Sequence, residues 1–87
     1  MKKIFCLFNN FSDIKNVEKN LKQENYNTEN IFIITKDNFN ELEDSAQEYE
    51  NSIRQGKILF YFPITDETED QIIDILEFNN GKKISIN

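Results

Sequence analysis

Three short segments of this chain carry apolar side chains at nearly every position, and this feature limits how the chain can fold. They are residues 3–8, 31–35 and 57–62. Successive side chains of a β-strand point to opposite faces of a sheet, so a strand of this kind must be covered on both sides. We therefore expect three central strands in one sheet. Residues 83–86 alternate between polar and apolar side chains, which predicts a fourth strand at an edge.

The stretch after the first strand shows helical spacing. Residues 12–25 form the first predicted helix, and its narrow apolar stripe consists of Ile14, Val17 and Leu21. Asn10 or Ser12 can cap the start of this helix. Asn25 tolerates the left-handed conformation that the end requires.

Two more helices are predicted, one before and one after the third strand. The middle helix has apolar residues that step by three and four positions over four turns: Phe39, Leu42, Ala46, Tyr49 and Ile53. Gly56 supplies its stop. In the last helix, Asp66 and Glu69 form a capping box. The apolar face of that helix consists of Ile72, Ile73, Ile75, Leu76 and Phe78.

The resulting order is β-α-β-α-β-α-β in a single domain, residues 1–87, because a second core would need roughly 50 more residues. Two arrangements fit. One is an α+β, ferredoxin-like four-stranded sheet with an extra helix between strands 2 and 3, and the other is a small doubly wound parallel α/β sheet. In the ferredoxin-like arrangement both crossover helices cover the same face. The middle helix, or the second subunit of a homodimer, must then cover the other face.

The residue inventory excludes several chemistries. The chain has no His, one Cys and two Gly, so His-based catalysis, Cys-based metal cages and glycine-rich phosphate loops are absent. We expect Cys6, in the middle of a strand, to be a buried and unreactive core residue. We therefore predict no catalytic residue, no cofactor and no metal, and we expect that the protein is not an enzyme.

The charge indicates what kind of partner the chain can bind. Sixteen acidic and ten basic residues give a net charge of −6, which repels nucleic acid. A basic protein surface fits this field better, and a nucleic-acid-binding protein has such a surface. On the middle helix, Glu41, Asp44 and Glu48 lie three and four positions apart, so we predict that they share one flank and bind the partner.

The apolar run near the N-terminus ends at Asn9 after five residues, whereas a signal peptide needs roughly 7–15. We also find no run of about 18 apolar residues of the kind that spans a membrane. A single cysteine without a partner suits a reducing compartment. We therefore expect a cytoplasmic protein that does not bind membranes.

Several segments resemble bacterial general-stress domains of the YflT type. The resemblance is carried by the order of the elements, by Asn10-Phe11-Ser12 before the first helix, and by residues 31–37. Tyr49-Glu50 followed by Gly56-Lys57-Ile58-Leu59 also resembles that family. Asn25 stands where the family has glycine, and the insert after strand 2 is short. The resemblance implies an α+β, ferredoxin-like domain with an interaction or stress-associated role and no catalytic residues.

Three functions remain open at this point. The first is a non-enzymatic cytoplasmic protein-interaction domain, associated with stress. The second is a small acidic inhibitor encoded by a phage or mobile element, of the anti-CRISPR kind, that blocks a host nucleic-acid enzyme. The third is a sensor of a small ligand.

Overall fold

The computed structural model describes residues 2–87, except for the side chain of Glu41. Within these residues it is an α+β structure with a four-stranded antiparallel sheet and three helices. The strands are β1 (Lys2–Phe8), β2 (Phe32–Ile34), β3 (Ile58–Ile64) and β4 (Lys82–Ile86). The helices are α1 (Phe11–Gln23), α2 (Glu50–Arg54) and α3 (Glu69–Phe78). Short 3₁₀ helices lie at Thr28–Asn30, Phe39–Glu41 and Asp44–Tyr49.

The strands lie in the order β2-β3-β1-β4, and each neighbouring pair is antiparallel. The longest pairing joins β1 to β3, from Lys2 opposite Ile64 to Phe8 opposite Ile58. The doubly wound parallel alternative is therefore wrong. Strand β3 runs back between β2 and β1 in the opposite direction to both, so the segment before it does not act as a crossover to a parallel neighbour.

The sheet is packed on both faces, as the apolar strands require. On the first face, α1 and α3 cover one set of strand residues: Ile4, Cys6, Phe8, Ile58, Phe60, Phe62 and Ile64. On the second face, residues 39–54 cover the other set: Phe5, Leu7, Ile34, Leu59 and Tyr61. We call residues 39–54 the covering segment. One chain thus supplies both layers, and a second subunit is not needed for this purpose.

Strand β2 differs from its predicted place. It is an edge strand of three residues, and the side chain of Phe32 is 49% exposed. The prediction of a central strand was wrong because apolar residues at both faces of a strand do not show whether it has one neighbour or two. Strand β4 lies at the other edge.

The middle helix is present only in part. The backbone is extended at Leu42 and Glu43, Asp44–Tyr49 is a 3₁₀ segment, and α2 covers only Glu50–Arg54. All five residues of the predicted stripe nevertheless pack against the second face. Acidic residues spaced four apart disfavour a continuous α-helix, and packing of the apolar side holds the segment in a less regular form.

The predicted helix ends are largely confirmed. Asn10 caps α1 by accepting a hydrogen bond from the Asp13 amide at 3.0 Å. Asn25 (φ 66°) and Gly56 (φ 99°) supply the left-handed residues predicted after α1 and α2. A further left-handed residue, Asn80 (φ 68°), follows α3.

Two predictions about the last helix were wrong. Helix α3 begins after Thr68, and Asp66 and Glu69 do not form a capping box but lie 2.5 Å and 3.7 Å from the ammonium group of Lys2. Phe78 does not belong to the buried face, since its side chain is 82% exposed. Phe78 lies two positions after the buried Leu76 and therefore on the opposite, outward side of α3, while Asn79 in the same turn is buried.

We expect Phe60→Ala to lower the free energy of unfolding by about 3–5 kcal/mol through lost burial and a residual cavity. Phe60 is fully buried in β3, with its ring edge-on to Phe8 at 5.9 Å. A domain of this size has about 5–10 kcal/mol in total. The matched control is Phe78→Ala, which should change stability by at most about 0.5 kcal/mol. Urea unfolding of both variants tests this, and equal losses would contradict the assigned core.

We also expect the thiol of Cys6 to react slowly in the folded protein. Cys6 is a residue of β1 whose side chain is buried in the core beneath α3. This burial raises the pKa of the thiol to about 12, so almost no thiolate forms at neutral pH. Because it is the only cysteine, a thiol reagent monitors this position alone. The labelling rate should rise with denaturant in step with unfolding, and rapid labelling in native buffer would contradict the burial.

Candidate interaction surface

The covering segment is strongly acidic on its outer side. It contains five acidic residues and one basic residue, Arg54. Arg54 lies 3.8 Å from the Glu50 carboxylate and over the ring of Phe39 at 4.8 Å, so its charge is already engaged at one end of the segment. The outer side therefore presents mainly negative charge to solvent.

The structure does not place the three predicted binding residues on one helical flank. Asp44 and Glu48 are exposed in the same 3₁₀ segment. In a helix with three residues per turn, positions four apart differ by about 120° rather than the ~40° of an α-helix. Glu41 ends a separate 3₁₀ turn, and its side chain lies outside the described part of the structure. The role of these residues in binding stays a prediction. The acidic surface they would form is broader than a single row along one helix.

Glu48 has a contact within the protein. Its carboxylate accepts a hydrogen bond from the Ser85 hydroxyl of β4 at 3.3 Å. The neighbouring Tyr49 is buried, and its hydroxyl donates to the Lys83 carbonyl at 2.7 Å and lies 2.5 Å from the Ser85 hydroxyl oxygen. Burial raises the pKa of Tyr49, so its hydroxyl stays protonated as a donor. The acidic 3₁₀ segment is thus anchored to the edge strand β4.

Glu43 anchors the other end of the segment. The ammonium group of Lys3 lies 2.7 Å and 2.9 Å from the two Glu43 carboxylate oxygens, and Ser45 donates to the same carboxylate at 3.1 Å. Lys3 also lies over the ring of Tyr61, 5.8 Å from its centre. The hydrogen bond from Lys3 lowers the pKa of Glu43, so this carboxyl group is fully ionised at neutral pH.

A row of aromatic rings crosses the second face beneath this segment. Ring centres are 4.9 Å apart for Phe32 and Tyr61, 5.2 Å for Tyr61 and Phe5, and 6.0 Å for Phe5 and Tyr49. The half-exposed Phe32 ends the row beside a cavity of about 310 Å³, which Lys3, Glu43 and Tyr61 also line. An apolar ring thus lies exposed beside the Lys3–Glu43 ion pair, where it can contact an apolar side chain of a partner.

Sequence reasoning missed Lys3, Phe32 and Glu43 as parts of this surface. Lys3 offered a signal, since it lies on the same alternating face of the first strand as Phe5 and needs a partner when that face is covered. The exposure of Phe32 depends on the strand order, which alternation does not reveal.

The described residues include no group of three or more His, Cys, Asp or Glu side chains arranged to hold a metal ion. Residues 2–87 also contain no helix that is long and apolar enough to cross a membrane. No family model matches the chain, and no curated protein matches it either.

We expect the ion pair of Glu43 to stabilise the fold at neutral pH and to lose its effect in acid. The folded pKa of Glu43 lies below its unfolded value of about 4.3, so its contribution is complete above the unfolded pKa and disappears as pH falls through the folded pKa. Glu43→Gln should therefore cost up to about 1 kcal/mol at pH 7, because both partners are about a third exposed.

Urea unfolding at neutral and strongly acidic pH measures this difference. The wild type and Glu43→Gln should converge in stability at low pH, whereas Asp44→Asn, at an exposed neighbouring position, serves as the control. A difference between wild type and Glu43→Gln that does not change with pH would contradict the assignment.

Proposed function

We propose that this chain is a non-enzymatic protein-interaction domain that binds a basic surface through the outer side of the covering segment. The observation that carries the proposal is the one-sided composition of this segment. Its apolar side chains are buried against the sheet, and its outer side exposes Asp44 and Glu48. The sequence has no basic residue between positions 37 and 53 that could balance these charges. A surface needed only for solubility has both charges interspersed.

We propose further that the sheet is a ferredoxin-like one, with the covering segment as the extra element between β2 and β3. The observed order β2-β3-β1-β4 with antiparallel neighbours supports this assignment. The chain departs from the general-stress domains at Asn25, where that family has glycine, but the φ of 66° at Asn25 provides the left-handed helix end that glycine would provide. A stress-associated role follows from this resemblance. The single free thiol supports a cytoplasmic location.

One observation favours the inhibitor as a second candidate. Asp70, Asp74 and Glu77 form an exposed acidic row on α3, which covers the opposite face of the sheet. Negative charge on both sides of a small domain is what an imitation of a nucleic-acid duplex requires, whereas a local docking site needs charge on one side only.

Two triple variants with equal charge loss distinguish these functions. The first replaces Glu41, Asp44 and Glu48 by Gln, and the matched control replaces Asp70, Asp74 and Glu77 by Gln. We expect the first variant alone to weaken binding, mainly through slower and less salt-dependent association, while the fold is retained or slightly stabilised. The partner is identified by capture from the native host, and affinities are then measured with the purified partner at low salt.

Each outcome decides between the candidates. Equal weakening by both variants would favour an imitation of nucleic acid, and the partner's own nucleic acid should then compete with this protein. Unchanged affinity of the first variant would overturn the proposed surface.

A further inference from the structure

We propose that the start of β4 forms a pocket that binds a small phosphorylated molecule, on a site separate from the acidic surface. The pocket has a volume of about 360 Å³ and lies where β1 ends and β3 and β4 begin. Its polar lining consists of Asn9, Ser52, Gln55, Lys57, Lys82 and Lys83. Three of these residues are lysines and none is acidic, although the whole chain has a net charge of −6. The volume is near the lower end of the range for small-molecule sites.

A bulge in β4 brings two consecutive lysines into this one pocket. In a regular strand Lys82 and Lys83 would point to opposite faces. Strand β4 instead pairs Ser85 with Phe5 and Lys82 with Leu7, so β4 has one residue more than β1 in this interval. Ile84 and Ile86 can then pack on the first face while both lysines line the pocket beside Leu7 on the second.

The bulge requires an unusual backbone conformation at Lys83. Its φ is 50°, a left-handed value that is uncommon for residues other than glycine and asparagine. The buried Tyr49 holds this conformation by donating its hydroxyl hydrogen to the Lys83 carbonyl at 2.7 Å. A lysine at a position that favours glycine, fixed by a core side chain, indicates that the placement of its charge matters.

The groups around the lysines suit phosphate oxygens. Lys57 lies 2.5 Å from the side-chain oxygen of Asn9, which leaves the Asn9 amide nitrogen as a donor beside the Ser52 hydroxyl and the Gln55 amide. The end of α2 also borders the pocket. Its Ser52 and Ile53 carbonyls already accept hydrogen bonds from the amides of Lys57 and Gly56, so they repel an anion less.

The ligand class follows from the charges. Lysine ammonium groups bind phosphate as point charges, and three of them line this pocket. A phosphate monoester carries about −1.5 to −2 charges at pH 7, so it matches several lysines better than a carboxylate with a single charge. A phosphate also occurs in nucleic acid, but an extended polyanion would meet the acidic surface of the whole chain. A small molecule with one phosphorylated end interacts with the local positive charge only.

NMR titration of ¹⁵N-labelled protein with inorganic phosphate, at constant ionic strength set by chloride, tests the proposal. We expect saturable amide shifts at Asn9, Ser52, Gln55, Lys82 and Lys83. In Lys82→Gln/Lys83→Gln the affinity should fall about tenfold, because two unit charges near the anion are lost. Lys57→Gln provides a second variant, and the spectra show directly that each variant is folded.

The matched control is Lys15→Gln/Lys19→Gln, which removes the same charge from the exposed side of α1. It should leave the affinity for phosphate unchanged. An equal loss in this control would overturn the proposal, since net charge alone would then explain binding, and so would the absence of saturable shifts. An eight-nucleotide oligothymidylate forms the other arm. If it bound the same residues more tightly than phosphate at the same ionic strength, the small-molecule assignment would be wrong.

Discussion

The pairing of β1 with β3 determines most of this structure, because both strands are apolar on both faces. Seven residues of β1 lie opposite seven of β3, and their side chains contribute to two separate cores. Burial of apolar area is the dominant stabilising term in folding, so neither face can be left to water. A chain of 87 residues has material for two layers only if the segment between β2 and β3 becomes one of them.

The two layers differ in how they are held. Helices α1 and α3 cover the first face with a regular α-helical backbone. Their buried residues are Ile14, Val17 and Leu21 in α1 and Ile72 and Leu76 in α3. The covering segment has short 3₁₀ turns and one helix of five residues, which have little stability of their own. Its position depends on packing of Ala46, Tyr49 and Ile53 and on the polar contacts of Glu43 with Lys3 and of Tyr49 with Lys83. The same anchoring leaves its outer side free to carry like charges without loss of the fold.

The sequence predicted features that depend on local periodicity, and it failed where the outcome depended on neighbours far along the chain. Apolar periodicity identified the strands, α1 and the inward positions of the covering segment. It could not show that β2 has one neighbour or that Lys2 would draw Asp66 and Glu69 away from capping α3. Phe78 was assigned to too broad a helical face, since it lies two positions after the buried Leu76 and thus on the outward side.

The same limit applies to the candidate sites. The acidic row was derived from an α-helix, and a 3₁₀ segment with the same inward residues turns Asp44 and Glu48 apart. The lysine pocket was hidden because residues 83–86 read as a plain alternating strand. The bulge that reverses this alternation is fixed by Tyr49, a residue 34 positions away in the sequence, and no local pattern reveals such a contact.

The buried Tyr49 connects the two proposed sites, and this has a thermodynamic consequence. It packs in the covering segment next to Glu48, and its hydroxyl holds the carbonyl of Lys83 in the pocket. A partner that binds the outer acids without moving the segment leaves the pocket intact, and the two sites are then independent. A partner that displaces the segment also releases the bulge. In that case bound phosphate must lower the affinity for the partner by the same factor by which the bound partner lowers the affinity for phosphate, because coupling between two sites is reciprocal.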